Sequence, residues 1–264
     1  MSKLKEWQIQ KENGIFDKRN QINNLTGKEW LYSTRSVKTK NYEYYYNIQN
    51  VLDLNYVDFM PIELISELIL TFSKDKSIII DPISNFGSIG YATSNAGGNR
   101  IYYGYNYIET NSIGFSKQFD LSTIYFHKES IENNFDFSKL SKNCILLTEL
   151  IFNSLNYELR NNISLKFKYD LKNSIKILLD NKINVNYVII AVQNTKENSK
   201  YIFNTTAFLE IMESFNYNLK SEIIWKIFDD YFKRIKENFP KQNENKSNDN
   251  LLLNDKRILV FKRD

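Results

Sequence analysis

Between the apolar run Ser77-Ile78-Ile79-Ile80-Asp81 and a stretch of helical character at Tyr91 to Asn95 lies Asp81-Pro82-Ile83-Ser84-Asn85-Phe86-Gly87-Ser88. A carboxylate at a strand end, then a short polar turn with a glycine, is how a nucleotide-binding fold brings its backbone close to a ligand, since glycine puts no Cβ in the way. The same residues also suit any strand-to-helix turn. Trp30 and the cluster Tyr42 to Tyr46 offer rings that stack on bases or pack the N-terminal segment onto a sheet. Lys233, Arg234 and Lys236 suit phosphates, or form a mixed solvated face with Asp229, Asp230 and Glu237. His127 and Cys144 are the only histidine and cysteine. They exclude an internal disulfide and any histidine or cysteine metal cluster, so no metal site is expected. Cys144 reads as a small core hydrophobe and His127 as a strand-end residue without a role.

The elements that must position these residues follow from periodicity. Pro61 suits a first helical turn, and Ile62, Ile65, Leu68, Ile69 and Phe72 follow at helical spacing, predicting a helix over 61–73. Short apolar runs predict strands at 77–81, 101–105, 124–126, 144–148, 187–192, 222–227 and 257–262. Helices are expected at 91–95, 110–118, 165–179 and 206–215, the third with Leu171, Ile175 and Leu178 on one face. The polar stretch 240–250 reads as a loop between the last two strands, which pair as an antiparallel hairpin. Alternating strands and helices closed by a hairpin predict an α/β fold: a mainly parallel seven-stranded sheet, helices on both faces, strand 78–81 near its centre, and ligands at the carboxyl ends of the strands. Residues 1–55 read as a polar and aromatic extension packing on a core domain of residues 56–264.

Composition bounds the function. Hydrophobic residues make up 42% and charged residues 25% of the 264, and the net charge is +4. That charge permits nucleic-acid binding without arguing for it. No apolar run reaches the roughly 20 residues of a membrane span, and the charged N-terminus is no signal peptide, so a cytoplasmic protein is expected.

In this setting the 81–88 segment resembles the D-P-F-x-G-S-G-T turn of the S-adenosylmethionine-dependent DNA amino-methyltransferases, which modify adenine N6 or cytosine N4. The likeness extends over roughly residues 26–264. Phe59-Met60-Pro61 resembles the family's proline-led helix start, Tyr103-Gly104-Tyr105-Asn106 its I-G-I-D segment, and Lys28-Glu29-Trp30 through Ser36-Val37 an N-terminal G-K-E-W segment of some members. Glu222 to Trp225 and Ile258 to Lys262 resemble its closing hairpin. The resemblance implies a Rossmann-like class I methyltransferase fold. It also implies a cofactor site at Pro61, Asp81, Asn85, Gly87 and Asn106, the turn holding the amino-acid part of S-adenosylmethionine and position 106 its ribose.

The family's catalytic D-P-P-Y-like segment should follow the fourth predicted strand. Here that place reads Glu149-Leu150-Ile151-Phe152, and the chain's three prolines, Pro61, Pro82 and Pro240, are never adjacent. By resemblance, Glu149 would accept hydrogen bonds from the target amine and Phe152 would stack on the flipped base. Leu150 and Ile151 cannot reproduce the rigid proline geometry. Asn85 replaces a glycine of the turn and Asn106 replaces the ribose acid. A solvated strand-end role for Glu149 and a core role for Phe152 stand beside these readings. The expectation is a methyltransferase-like chain with weak or lost cofactor binding, acting as a DNA-binding or accessory subunit beside an intact methyltransferase. An active DNA or RNA enzyme with an atypical loop and a pure protein–protein module are the alternatives.

Overall fold

A computed structural model of the chain describes residues 36–38, 60, 62–108, 120–134, 144–150, 157–197, 200–226 and 255–263. In chain order the elements are β1 (Ser36–Lys38), α1 (Ile62–Phe72), β2 (Ile78–Asp81), α2 (Ser88–Ala96), β3 (Ile101–Gly104), β4 (Ile124–Phe126), α3 (Ile131–Asn134) and β5 (Cys144–Glu149). There follow α4 (Tyr157–Asp180), β6 (Val185–Val192), β7 (Thr195–Glu197), β8 (Lys200–Ile202), α5 (Asn204–Glu213), β9 (Tyr217–Lys226) and β10 (Asp255–Arg263).

The main sheet runs β1-β9-β10-β6-β5-β2-β3-β4. β2 pairs in parallel with β3 and β5, β3 with β4, and β5 with β6, while β10 is antiparallel to both β6 and β9. Omitting β1, this is the seven-stranded, mainly parallel Rossmann-like sheet of the class I methyltransferase fold, closed by an antiparallel hairpin. β2 lies in its interior as expected. The sheet differs from the expectation by an eighth strand. β1, from within residues 1–55, adds in parallel to the outer edge of β9 through Ser36↔Ile223, Val37↔Ile224 and Lys38↔Trp225. Periodicity did not reveal it because three residues carry no readable alternation. A small antiparallel hairpin, β7–β8, also goes beyond the predicted elements.

β2 and β5 are buried at every position, which requires apolar side chains on both faces and explains the continuous runs Ile78-Ile79-Ile80 and Cys144 to Leu147. One face is covered by α1 and α2, with Leu64, Ile65, Leu68 and Ile69 against Ile79, Ile145, Leu147, Ile189, Ile258 and Val260. The other is covered by α4 and α5, with Phe167, Leu171, Ile175, Leu178, Phe208 and Met212 against Ile78, Ile80, Leu146, Val188, Ile190 and Leu259. Each such buried side chain stabilises the fold by roughly 1.5–3 kcal/mol over an exposed one. α4 runs two turns further upstream than the predicted 165–179. The predicted helix at 110–118 and the loop at 240–250 lie outside the described residues.

Candidate functional site

The 81–88 turn leaves β2 at its carboxyl end and enters α2, with Gly87 as N-cap at φ 82°. That angle is open to glycine and costly for a residue with a Cβ. A Cβ at Gly87 would lie 2.7 Å from the Phe126 ring and 3.1 Å from the Tyr107 ring. The glycine thus serves a close approach, as the sequence suggested, but towards the protein's own aromatic side chains. Tyr107 stacks on Phe126 with centroids 4.4 Å apart, and Phe126 meets Tyr102 and Tyr91 at 5.5 and 5.9 Å.

The turn is also joined to the segment after β3. Tyr105 N–H donates to the Asp81 carbonyl (2.8 Å), Ser84 N–H to the Tyr105 carbonyl (2.7 Å) and Ile108 N–H to the Asn85 carbonyl (2.6 Å). Asn85 and Tyr107 form a parallel bridge. Asn106 Nδ2 donates to the Pro82 carbonyl at 2.9 Å, and Asn85 Nδ2 to the Ile83 carbonyl at 3.1 Å. Both asparagines have positive φ, 48° at Asn85 and 54° at Asn106, a conformation asparagine tolerates better than most residues. Of the turn's N–H groups, those of Ile83, Ser84 and Gly87 are all donated within the protein.

Asp81 is buried beneath this turn, 1% exposed. The Tyr102 hydroxyl donates to its Oδ2 at 2.9 Å and lies 2.8 Å from Ser84 Oγ, while Ile83 N–H donates to Oδ1 at 3.2 Å. Burial pushes the Asp81 carboxyl up to about 7. The hydrogen bonds from Tyr102 and Ile83 oppose the rise, and the charge of Glu149 adds to it. Burial also holds the Tyr102 phenol well above its usual range, with the Asp81 charge acting in the same sense.

Glu149 ends β5, where the resemblance puts the catalytic segment. Its Oε1 accepts from Lys256 Nζ at 2.6 Å and from the Met60 N–H at 2.7 Å. The two side chains are 1% and 0% exposed. This corrects the solvated reading of Glu149: the residue is the buried half of an ion pair. The pair joins the end of β5 to the start of α1 and to β10, 89 and 107 residues away in sequence. Burying two charges costs several kcal/mol each, and only close pairing with additional hydrogen bonds offsets that cost; the Met60 N–H is one such bond.

On the opposite face of the sheet, the face of α4, a cleft of about 340 Å³ opens beside the same turn. Its walls include Ile83, Asn85, Asn106, Leu150 and Phe167, with Lys166 and Asp170 of α4 at its edge. The structure therefore divides the sequence-predicted residues. Asn85 and Asn106 reach the cleft. Asp81, Gly87 and Glu149 sit in the packed α1/α2 side with Tyr102, Phe126 and Lys256. Pro61 and Phe152 lie outside the described residues, as do Trp30, Tyr42 to Tyr46, Lys233, Arg234 and Lys236. His127 stacks on Tyr105 at 4.9 Å, and Cys144 is fully buried with its thiol pushed up to about 11 by burial. Among the described residues no acid, histidine and cysteine cluster suits a metal, and no helix is long and apolar enough to cross a membrane.

Sequence reasoning missed Lys256 and Tyr102. A signal for Lys256 existed: period-2 alternation from Ile258 and Val260 puts position 256 on the same inward face. Starting the strand at Arg257 hid it. For Tyr102 the same alternation gives the inward face but not the partner, which depends on the β2–β3 register.

No protein-family model and no curated protein sequence matches the chain. Solved structures similar in architecture include TrmN from Thermus thermophilus (10% identity, TM-score 0.46, covering 77% of this chain and 49% of that one). This chain thus spans about half the length of TrmN. An rRNA methylase from Streptococcus thermophilus shares 13% identity at a TM-score of 0.41, with 78% and 97% of the two chains covered. A protein of the NADB-Rossmann superfamily from Streptococcus agalactiae shares 10% at 0.44, with 81% and 71% covered. At such values the likeness carries nothing about activity, and the assignment of this chain to the Rossmann-like class I methyltransferase fold rests on its own strand order and register.

Proposed function

We propose that this chain is a methyltransferase-fold protein that transfers no methyl group by itself and works on DNA as a binding or accessory subunit beside an intact methyltransferase. The observation that carries the reading is the Glu149–Lys256 ion pair. The acceptor that would have to receive hydrogen bonds from a base amine is fully buried and holds an ammonium group at 2.6 Å. An exocyclic amine conjugated to a base is a poor nucleophile and reacts only when its acceptors and the methyl donor are placed closely. A misplacement of about an ångström costs on the order of a hundredfold.

The surroundings support the same reading. The turn that resembles the cofactor loop has its Ile83, Ser84 and Gly87 N–H groups committed internally, and position 106 offers an amide that is itself donated to Pro82. The Gly87 backbone has Phe126 and Tyr107 where a close-approaching ligand would be. These residues do not suit S-adenosylmethionine in the way the resemblance implies, and its binding is weak or lost. The role on DNA rests on the resemblance to the amino-methyltransferases, and its specificity is left to the partner.

The test is tritiated methyl transfer from S-adenosylmethionine by the purified chain to genomic DNA, single-stranded DNA and total RNA, with Glu149→Ala as control. No incorporation is expected from the chain alone. Incorporation that appears only with an intact partner supports the accessory role. Robust incorporation that disappears in Glu149→Ala while that variant remains folded refutes the proposal.

A further inference from the structure

α4 carries a surface line that neither the packing nor the candidate site uses. Ser164, Phe167, Leu171, Ser174, Ile175 and Leu178 turn one side of the helix into the core. On the other side Leu165 and Tyr169 stand 56% and 65% exposed, among the most exposed large apolar residues described. Lys172 and Lys176 are exposed too. The spacing i, i+4, i+7, i+11 puts these four side chains on one stripe about 17 Å long. Lys166, 69% exposed, flanks the stripe and reaches the cleft edge with its partner Asp170. From Asn162 to Lys176 there are four lysines and the single carboxylate of Asp170. Acids flank the stripe at both ends: Glu158 precedes it in sequence, and Asp180 and Glu132 border Lys176 itself.

We infer that this stripe is a binding surface for single-stranded nucleic acid, with Tyr169 as a stacking platform for a base and Lys172 and Lys176 as phosphate contacts; in assuming a nucleic-acid role, the inference rests on the reading above. The charge pattern selects the occupant. Lysine is depleted from protein–protein interfaces, and two isolated apolar side chains make a poor hydrophobic interface core. A polyanion answers the lysines directly. An exposed phenol ring alongside them adds what a stacked duplex cannot use and an unpaired base can. Lys172 and Lys176 lie one turn apart, with Cβ atoms about 5–6 Å from each other, which suits neighbouring phosphates of an extended strand.

Fluorescence anisotropy of labelled single-stranded DNA, single-stranded RNA and duplex DNA with the full chain tests this. All substitutions lie at exposed positions, so circular dichroism should report an unchanged fold. The wild-type chain is expected to prefer either single strand over the duplex. Tyr169→Ala should weaken that binding on the order of tenfold, and Tyr169→Phe should restore it. The double variant Lys172→Ala/Lys176→Ala should reduce the slope of log affinity against log salt by about 1.4, since each lost phosphate contact removes about 0.7 on a single strand. No binding by the wild type, equal binding of duplex, or binding unaffected by Tyr169→Ala overturns the inference. Methyl transfer by the chain alone would remove the reading above and leave this surface standing. A silent Tyr169→Ala would do the reverse.

Discussion

The carboxyl end of the central sheet has two sides, and they have been treated in opposite ways. On the α1/α2 side, Glu149 is locked to Lys256 and Met60, Asp81 to Tyr102 and Ile83, and Gly87 lies against Phe126 and against Tyr107, which also lines the cleft. On the α4 side, the same turn borders an open cleft of about 340 Å³, lined by Asn85, Asn106 and the exposed edge of α4. Residues that a linear motif would assemble into one site are thus divided between a packed interior and an open wall. The motif residues that point inward have their partners within the chain. The side that remains open is lined by amides, apolar side chains and lysines, and only one carboxylate, Asp170, reaches it.

Cutting the ion pair should do the most damage to the packed side. Glu149→Ala leaves the Lys256 ammonium buried without its counter-charge and should cost about 3–5 kcal/mol of stability in urea unfolding. Lys256→Met alone should cost a similar amount. The double variant Glu149→Leu/Lys256→Met should recover most of the loss, because removing both charges removes the desolvation penalty with the attraction. A Glu149→Ala chain of unchanged stability would mean that the packed side is not packed, and would reopen a functional role for the carboxylate.

Gly87→Ala comes next. The residue combines φ 82° with a ring 2.7 Å from the new methyl group, so a loss of about 2–3 kcal/mol is expected from backbone strain and overpacking together. Full tolerance, seen as an unchanged urea midpoint, would show that Phe126 and Tyr107 yield easily and that the turn retains room.

Asp81 gives a pH-dependent test of slightly smaller size. Its folded pKa is raised from 3.8 to about 7, so between about pH 4 and 7 the native state binds a proton that the unfolded chain has released. Stability from this group is therefore greatest near pH 4, falls as pH rises through 7, and is level above that. Each unit corresponds to about 1.4 kcal/mol, a ceiling of about 4 kcal/mol; relaxation around the buried carboxyl reduces it to roughly 2. Urea unfolding at pH 5 and pH 8 should show this decline in the wild-type chain and lose it in Asp81→Asn.

The smallest effect belongs to the open side. Lys166→Ala removes an ion pair to Asp170 whose lysine is 69% exposed, and stability should change by no more than about 0.5 kcal/mol. A larger loss would show that the cleft wall is as rigid as the packed side.

The fold was legible in the sequence because the parallel strands are buried on both faces, and Ile78-Ile79-Ile80 or Tyr187 to Val192 leave no other economical reading. The hairpin was legible from the apolar runs at 222–227 and 257–262, joined by the polar stretch 240–250 that reads as a loop. The site was legible only as positions. Asn85 and Asn106 reached a ligand-sized cleft, but the environment of Glu149 depended on Lys256, 107 residues away in sequence, a partner that exists only once β6 separates β5 from β10 in the sheet. Tyr102 is similar: its ring fills the space beneath the turn because β3 pairs with β2 in the register Ile79↔Tyr102, and no local pattern encodes that.

Under the proposed function, Asp81, Gly87 and Glu149 are committed within the chain and Asn85 and Asn106 alone at the cleft do not hold S-adenosylmethionine; calorimetric titration of the purified chain with that cofactor is the decisive check. No saturable heat is expected at micromolar concentrations, for the wild-type chain and for Asn106→Asp alike. A micromolar dissociation constant for the wild-type chain, weakened by Gly87→Ala, would contradict it.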